Sequence, residues 1–316
     1  MSDPNKGRIL LSVTGFNPRR WHELLSVRRE VVLEPAGEAD PSIEYAVVWK
    51  QKPNVLSRLP NLKAVFSIGA GVDHLFADPG LPEVPIVRVV ADNLTQYMTE
   101  YVCWRVLDHH RQGRLYRDQQ KRKVWHEPPQ PPAGAVSVGI MGLGNLGRAA
   151  AKVLLALGYT VKGWSRTGTR MDGVETFGGA GELDAFLAGT DILVVLLPLT
   201  PETTGIIDFE LLSRLRRDNA IGGAVLINAG RGRLQKDADI ARALDEGMLR
   251  EASLDVFETE PLPLESPLWV HEKVFVTPHA AATSDPAHLA GPMLDQMDAF
   301  DRGEPLRNLV DREAGY

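Results

Sequence analysis

Residues 136–158 read VSVGIMGLGNLGRAAAKVLLALG. A strand-like apolar run leads into Gly142-Leu143-Gly144-Asn145-Leu146-Gly147, and a helical pattern follows at once. A Gly-x-Gly-x-x-Gly between a strand and a helix carries a mechanism. The first glycine permits the tight turn, the second lets backbone approach a pyrophosphate, and the third lets helix and strand pack closely. The amides at the helix N-terminus then face the phosphates. This stretch predicts a dinucleotide-binding half, and the rest of the chain can be read outward from it.

Downstream, strands are expected at YTVKGW, DILVVLL, AVLIN, EASLDV and VFVTP, in the order of a doubly wound sheet. The first of these strands is followed by Ser165, Arg166 and Thr167. Arg166 lies 19 residues past Gly147, where most such folds place an acidic residue on the ribose 2′-hydroxyl. A carboxylate there repels a 2′-phosphate, whereas a guanidinium flanked by hydroxyls suits it. Arg170 adds a second cation. NADP(H) is therefore the expected cofactor, with NAD(H) as the alternative.

Upstream, ILLSV, EYAVVW, AVFSI and IVRVV read as buried strands of a second parallel sheet. One long helical stretch is expected from Tyr101 to Trp125, ending at the Pro-rich HEPPQPPAG, read as a stiff extended linker. A last helix follows Pro286. The two halves show no repeat of solenoid period.

The 316 residues suffice for two domains with real cores. Apolar content of 44% and charged content of 24% are those of an ordinary globular protein. A net charge of −6 argues against a nucleic-acid partner, and Lys121-Arg122-Lys123 reads as a solvated helix end. The single cysteine, Cys103, excludes a disulfide framework and a Cys-rich metal site; no metal is expected. The N-terminal MSDPNKGRILLSV has neither a leader nor a membrane-span pattern, so a cytoplasmic location is the default expectation.

Three patches follow strand-like runs and should open at the carboxyl edge of the sheet, where ligands sit in such folds. They are LINAGRGRL with Arg231, SLDVFETEPLP with Asp255 and Glu260, and VTPHAAATS with His279. Gly142 to Gly147, LLPLTPETTGII, INAGRG, LDVFETEPLP and TPHAAATS together resemble the D-isomer-specific 2-hydroxyacid dehydrogenase family in order and spacing. The resemblance covers most of the chain. AVVWKQKP, AVFSIGAGVDHL, GWSRT, ESPLW and the terminal Gly315-Tyr316 look like a bacterial branch that reduces glyoxylate and hydroxypyruvate.

That resemblance implies an α/β fold of two doubly wound parallel-sheet domains. One is a Rossmann NAD(P)-binding domain over 99–284. The other is a flavodoxin-like substrate domain over 1–98 plus 285–316, with a cleft between them that closes on substrate. It implies that Arg231 holds the substrate carboxylate and carbonyl oxygen. His279 would be the general acid, and Glu260 would orient it and keep it protonated. Trp49 and the backbone around Ala70 and Gly71 would meet the substrate. The cofactor would be met by Met98, Gly142, Gly144, Asn145, Leu146, Gly147, Ser165, Arg166 and Thr167, with Leu197, Pro198 and Thr203. Ala229, Gly230, Asp255 and His279 complete that set, Asp255 through the nicotinamide carboxamide. The helical arm resembles the family's dimerisation element, so a homodimer is expected. Gly230 departs from the Ala or Ser that relatives often carry and is expected to loosen the loop that aims Arg231; the connector RRDNAIGGAVLIN looks slightly longer than usual, and the terminus REAGY less basic. Two alternatives stay open: a reductase of another 2-keto acid, and a dinucleotide-sensing corepressor. A formate dehydrogenase reading is opposed by Glu260, where that relative carries Gln.

Overall fold

The computed structural model describes residues 6–33 and 39–316. The first five residues, part of the stretch expected to lack a leader, lie outside the described residues. The chain forms two compact units, Met1–Leu94 with Ser284–Tyr316, and Thr95–Thr283.

The first unit contains β1 (Arg8–Val13), α1 (Arg19–Leu25), β2 (Val31–Leu33), β3 (Ile43–Trp49), β4 (Ala64–Ser67), α2 (Asp73–Phe76) and β5 (Ile86–Val87). The strands pair in parallel in the order β2-β1-β3-β4-β5, which is the flavodoxin-like order. β4 is buried at every residue, because helices or loops cover both faces of a parallel sheet. Two details differ from the sequence reading. VVL at 31–33 is an edge strand, and IVRVV pairs only over its first two residues.

The second unit contains α3 (Asp92–His110, from Thr95 on), α4 (Gly113–Arg122), β6 (Ser137–Met141), α5 (Asn145–Ala156), β7 (Thr160–Ser165), β8 (Glu175–Gly178), α6 (Leu183–Ala188) and β9 (Ile192–Val195). It continues through α7 (Phe209–Ser213), β10 (Val225–Asn228), α8 (Asp237–Asp245), β11 (Glu251–Leu254) and β12 (Val274–Val276). The seven strands run parallel in the order β12-β11-β10-β9-β6-β7-β8, a Rossmann order with one extra edge strand. The reversal of strand order falls between β6 and β9, which fixes where the phosphate turn after β6 opens. β8, ETFG, is a second edge strand that the sequence reading passed over.

The expected single helix over 101–125 is instead two. Gln112 adopts φ 59, a left-handed conformation that stops α3 and starts α4. The Pro-rich segment holds the break in place. Gln112 donates to the Pro129 carbonyl at 2.9 Å, Arg111 to Gln130 at 3.0 Å, and His110 Nε2 lies 2.8 Å from the Pro131 carbonyl. The linker is extended at Pro132, as expected, and is tied back along the helix end rather than hanging free. Lys121, Arg122 and Lys123 are exposed at the end of α4. Cys103 is buried in the core of this unit, and burial pushes its thiol up to about 11.

The chain then returns to the first unit through α9 (Pro286–Asp301). Asp285 caps it by accepting from Ala287 N at 2.9 Å, with Pro286 at the first helical position. Its acidic face is seized by cations more than two hundred residues away. The fully buried Arg29 bonds both Asp298 and Asp301 at 2.7 Å, and Tyr45 donates to Asp301 at 2.7 Å. Val310 N then bonds Ile86 O at 2.9 Å, so the C-terminal segment lies against β5. Among the described residues no helix is long and apolar enough to cross a membrane.

Candidate active site

The phosphate turn fits a dinucleotide at each of its glycines. Gly142 has φ 108, and a Cβ there would meet the Leu196 carbonyl oxygen at 2.7 Å. A Cβ on Gly147 would fall on the Gly142 carbonyl oxygen, so helix and strand touch only because it is absent. Gly144 differs: nothing lies within 4 Å of its would-be Cβ, and it is exposed as the N-cap of α5. Protein packing therefore explains two of the glycines, and the third faces open space in front of the helix amides. That space is where a pyrophosphate approaches. Asn145 and Leu146 form the first turn of α5, whose buried Gly147, Ala150, Ala151 and Leu154 make its core-facing stripe.

β7 ends at Ser165. Its hydroxyl accepts from Thr169 N at 2.8 Å, and its carbonyl accepts from Gly168 and Gly179. With Gly168 at φ 64, these bonds curl the turn and leave Arg166, Thr167 and Arg170 at the surface. Thr203 uses its hydroxyl inside its own loop, donating to the Pro198 carbonyl at 2.8 Å and accepting from Thr200 N. Leu197 and Met98 are buried, Met98 in the core beside Val102.

His279 stands after β12 with φ 54. A non-glycine residue there costs on the order of 1–3 kcal/mol. Its N–H is bonded by the carbonyls of Asp255 at 2.8 Å and Thr277 at 3.0 Å, which holds it in that conformation. Its Nδ1 lies 2.9 Å from Glu260 Oε2. A carboxylate only accepts, so Nδ1 carries a proton and Nε2 is the nitrogen turned to chemistry. The other Glu260 oxygen accepts from Phe257 N at 3.3 Å, which fixes the carboxylate against its own loop. Asp255 is 1% exposed, and its carboxylate accepts from Thr277 Oγ1 at 2.6 Å, Ala280 N at 2.8 Å and Ala281 N at 3.0 Å. This leaves it one lone pair for a carboxamide N–H.

Arg231 is half-buried just after β10, and its Nη1 donates to the Gly230 carbonyl at 2.9 Å. The sequence reading missed what holds its loop. Asn228 Oδ1 accepts from Gly230 N at 3.0 Å, and Asn228 Nδ2 donates to Gln235 at 2.7 Å. Gln235 in turn donates to the Val256 carbonyl at 3.1 Å, beside Asp255. A Cβ on Gly232 would strike the Phe257 backbone, so the Arg231 loop and the Glu260 loop are in direct contact. The loosening expected from Gly230 is opposed by this frame. A Cβ at 230 would meet Leu234 at 3.0 Å and the Leu197 carbonyl at 3.1 Å. Ala229, at 5% exposure, is packed in the same wall.

Trp49, Ala70 and Gly71 belong to the first unit. Trp49 ends β3 and packs against His74 with tilted rings, centroids 4.8 Å apart, and its indole fills the place a side chain at Gly69 would take. Ala70 and Gly71 form the turn from β4 to α2, half-buried at the carboxyl edge of that sheet.

Residues 103–281 match the family described as D-isomer specific 2-hydroxyacid dehydrogenase, NAD binding domain. A glyoxylate/hydroxypyruvate reductase A from Escherichia fergusonii is 40% identical over 286 residues, 89% of each chain. An NADPH-dependent glyoxylate/hydroxypyruvate reductase from Sinorhizobium meliloti, solved in complex with NADP and sulfate, is 47% identical. It superposes with a TM-score of 0.93 over 98% of this chain and 100% of that one. A D-isomer specific 2-hydroxyacid dehydrogenase from Xanthobacter autotrophicus, solved with NADPH and MES, is 40% identical with a TM-score of 0.91, over 98% and 100% of the two chains.

Proposed function

The chain belongs to the D-isomer specific 2-hydroxyacid dehydrogenase family, and from that membership we propose that it reduces glyoxylate to glycolate and hydroxypyruvate to D-glycerate with NADPH. The observation that carries the chemistry is the His279–Glu260 bond, which leaves one ring nitrogen to deliver a proton. Arg231, held by the Asn228–Gln235 frame, supplies a planar fork for the substrate carboxylate and carbonyl oxygen. His279 Nε2 protonates that oxygen as it becomes an alkoxide, and Glu260 steadies the imidazolium. Bound nicotinamide supplies the hydride. Gly142, Gly144 and Gly147 with the N-terminus of α5 would hold its pyrophosphate, Arg166 its 2′-phosphate, and Asp255 its carboxamide. Trp49 and the Ala70-Gly71 turn complete the substrate side of this reading.

Consumption of NADPH and of NADH, followed side by side by absorbance with hydroxypyruvate and then glyoxylate, tests it. Turnover faster with NADPH is the expected result. Absence of turnover with both acids would overturn the substrate reading, and equal rates would overturn the cofactor preference.

The same reading includes a homodimer in the cytoplasm acting on a small molecule, with no nucleic-acid partner. Support for the dimer comes from apolar side chains left open on the helical arm. Tyr97, Trp104 and Leu107 on α3 are 37–49% exposed, Tyr116 on α4 is 39% exposed, and Trp125 is fully exposed. Such a row on one arm is the kind of surface a second copy covers. Leu107→Glu combined with Trp125→Glu is expected to convert a dimer into a 34.7 kDa monomer by light scattering. A wild-type monomer at micromolar concentration would remove the dimer from the proposal.

A further inference from the structure

β11 is polar on one face only. Glu251 and Ser253 alternate along it, Asp255 follows in step, and α3 answers with Tyr101, Arg105 and His109, four apart. Arg105 Nε donates to Ser253 at 2.8 Å, and its guanidinium lies 3.9 Å over the Phe275 ring and 4.8 Å from Trp104. His109 bridges Ser253 at 2.7 Å and Glu251 at 2.6 Å. Glu251 only accepts, so His109 donates to it from Nδ1; burial disfavours the charged ring, and Nε2 of the neutral ring then accepts from Ser253. Burial works to raise the Glu251 carboxyl, but the His109 bond and the Arg250 and Arg114 cations hold it below the usual carboxylate range. These contacts pin α3 along the strand.

At the end of that rail, Tyr101 OH lies 2.8 Å from Thr277 Oγ1, which lies 2.6 Å from Asp255 Oδ1. The direction of this chain is forced. Asp255 only accepts, so the one Thr277 proton goes to it, and Tyr101 must be the donor to Thr277. Burial pushes the Tyr101 phenol up to about 12, so it remains a donor across the working range. The far end of the chain is the Asp255 carboxylate on Ala280 N and Ala281 N, with the Asp255 carbonyl on His279 N.

We infer that Tyr101 is a positioning residue for His279, acting through Thr277 and Asp255. This rests on the reading of His279 as the proton donor. Tyr101 touches no reacting atom; it orders the acceptor that orders the loop.

The test compares Tyr101→Phe, Thr277→Val and Thr277→Ser in the full chain. Loss of one buried hydrogen bond predicts kcat lowered about 5- to 10-fold in Tyr101→Phe and Thr277→Val, with KM and the NADPH Kd changed by no more than about twofold. Thr277→Ser keeps the hydroxyl and is expected to keep wild-type kcat. Because Tyr101 acts through Thr277, the double variant Tyr101→Phe/Thr277→Val should be no slower than Thr277→Val alone. In the cofactor-free protein, amide exchange at Ala280 and Ala281 should quicken about tenfold in Tyr101→Phe. That readout involves no turnover, so it separates failure of the positioning role from failure of the His279 assignment. Unchanged exchange, or multiplicative losses in the double variant, would overturn the inference. Should Tyr101→Phe not fold, Thr277→Val against Thr277→Ser decides with the same exchange measurement: equal exchange in the two overturns it.

Discussion

His279→Ala is expected to lower kcat on hydroxypyruvate by about 10³-fold, within the range general acids supply, with NADPH binding nearly intact. His279 is held at φ 54 by bonds from its own N–H to Asp255 and Thr277 carbonyls. Alanine keeps that N–H, and the Asp255 bonds to Ala280 and Ala281 involve no imidazole atom. The loop therefore has no reason to leave its place, and the loss reads the missing proton donor. Glu260 remains behind as a carboxylate anchored to Phe257 N, and a carboxylate only accepts. Stopped turnover with unchanged NADPH fluorescence titration is the expected pair of results. Turnover within about tenfold of wild type would mean that another group or water protonates the carbonyl oxygen, since a tenfold loss is only about 1.4 kcal/mol.

The parts of this site that were readable in the sequence share a cause. Gly142, Gly144 and Gly147 sit at fixed offsets between an apolar run and a helical one, so their spacing carries the turn geometry directly. Arg231, Asp255 and His279 each follow a strand of the second sheet, and a parallel sheet delivers all such positions to one edge. What was not readable depends on partners far along the chain. Arg29 finds Asp298 and Asp301 across most of the sequence, and nothing local marks that pairing. β2 and β8 are edge strands without the full burial of their neighbours: β2 is an apolar run of only three residues, and β8, ETFG, has no apolar run like the one that reveals β9. The break at Gln112 depends on the Pro129 and Pro131 carbonyls coming back to α3. One signal was present and unused. Glu251, Ser253 and Asp255 alternate through an otherwise apolar strand, and buried polar side chains require partners. A helix carrying Tyr101, Arg105 and His109 at a spacing of four was the natural supplier.

Arg166→Asp is expected to lower kcat/KM with NADPH by about 10²- to 10³-fold and to leave kcat/KM with NADH within a few-fold of wild type. The turn that presents residue 166 is curled by bonds of its neighbours. Ser165 accepts from Thr169 N, and Gly168 takes the left-handed conformation, so the substitution changes charge with little change of shape. Removing a hydrogen-bonded cation from a phosphate costs about 1.5–3 kcal/mol. Setting an anion in its place adds about 1–2 kcal/mol of repulsion at a solvated site. The neighbourhood makes this worse. Glu202 is held below the usual carboxylate range, first by its Thr200 bond and in smaller part by the Arg166 charge. The substituted aspartate would thus add a second negative charge near Glu202. The 2′-hydroxyl of NADH carries no charge and can donate to that aspartate, so the same change is neutral or favourable for it. Raising the salt concentration should narrow the gap between the cofactors, because the site is exposed. Equal losses with both cofactors would show that residue 166 shapes the turn rather than reads the phosphate, and the preference would then have to come from Arg170 or the hydroxyl of Thr167.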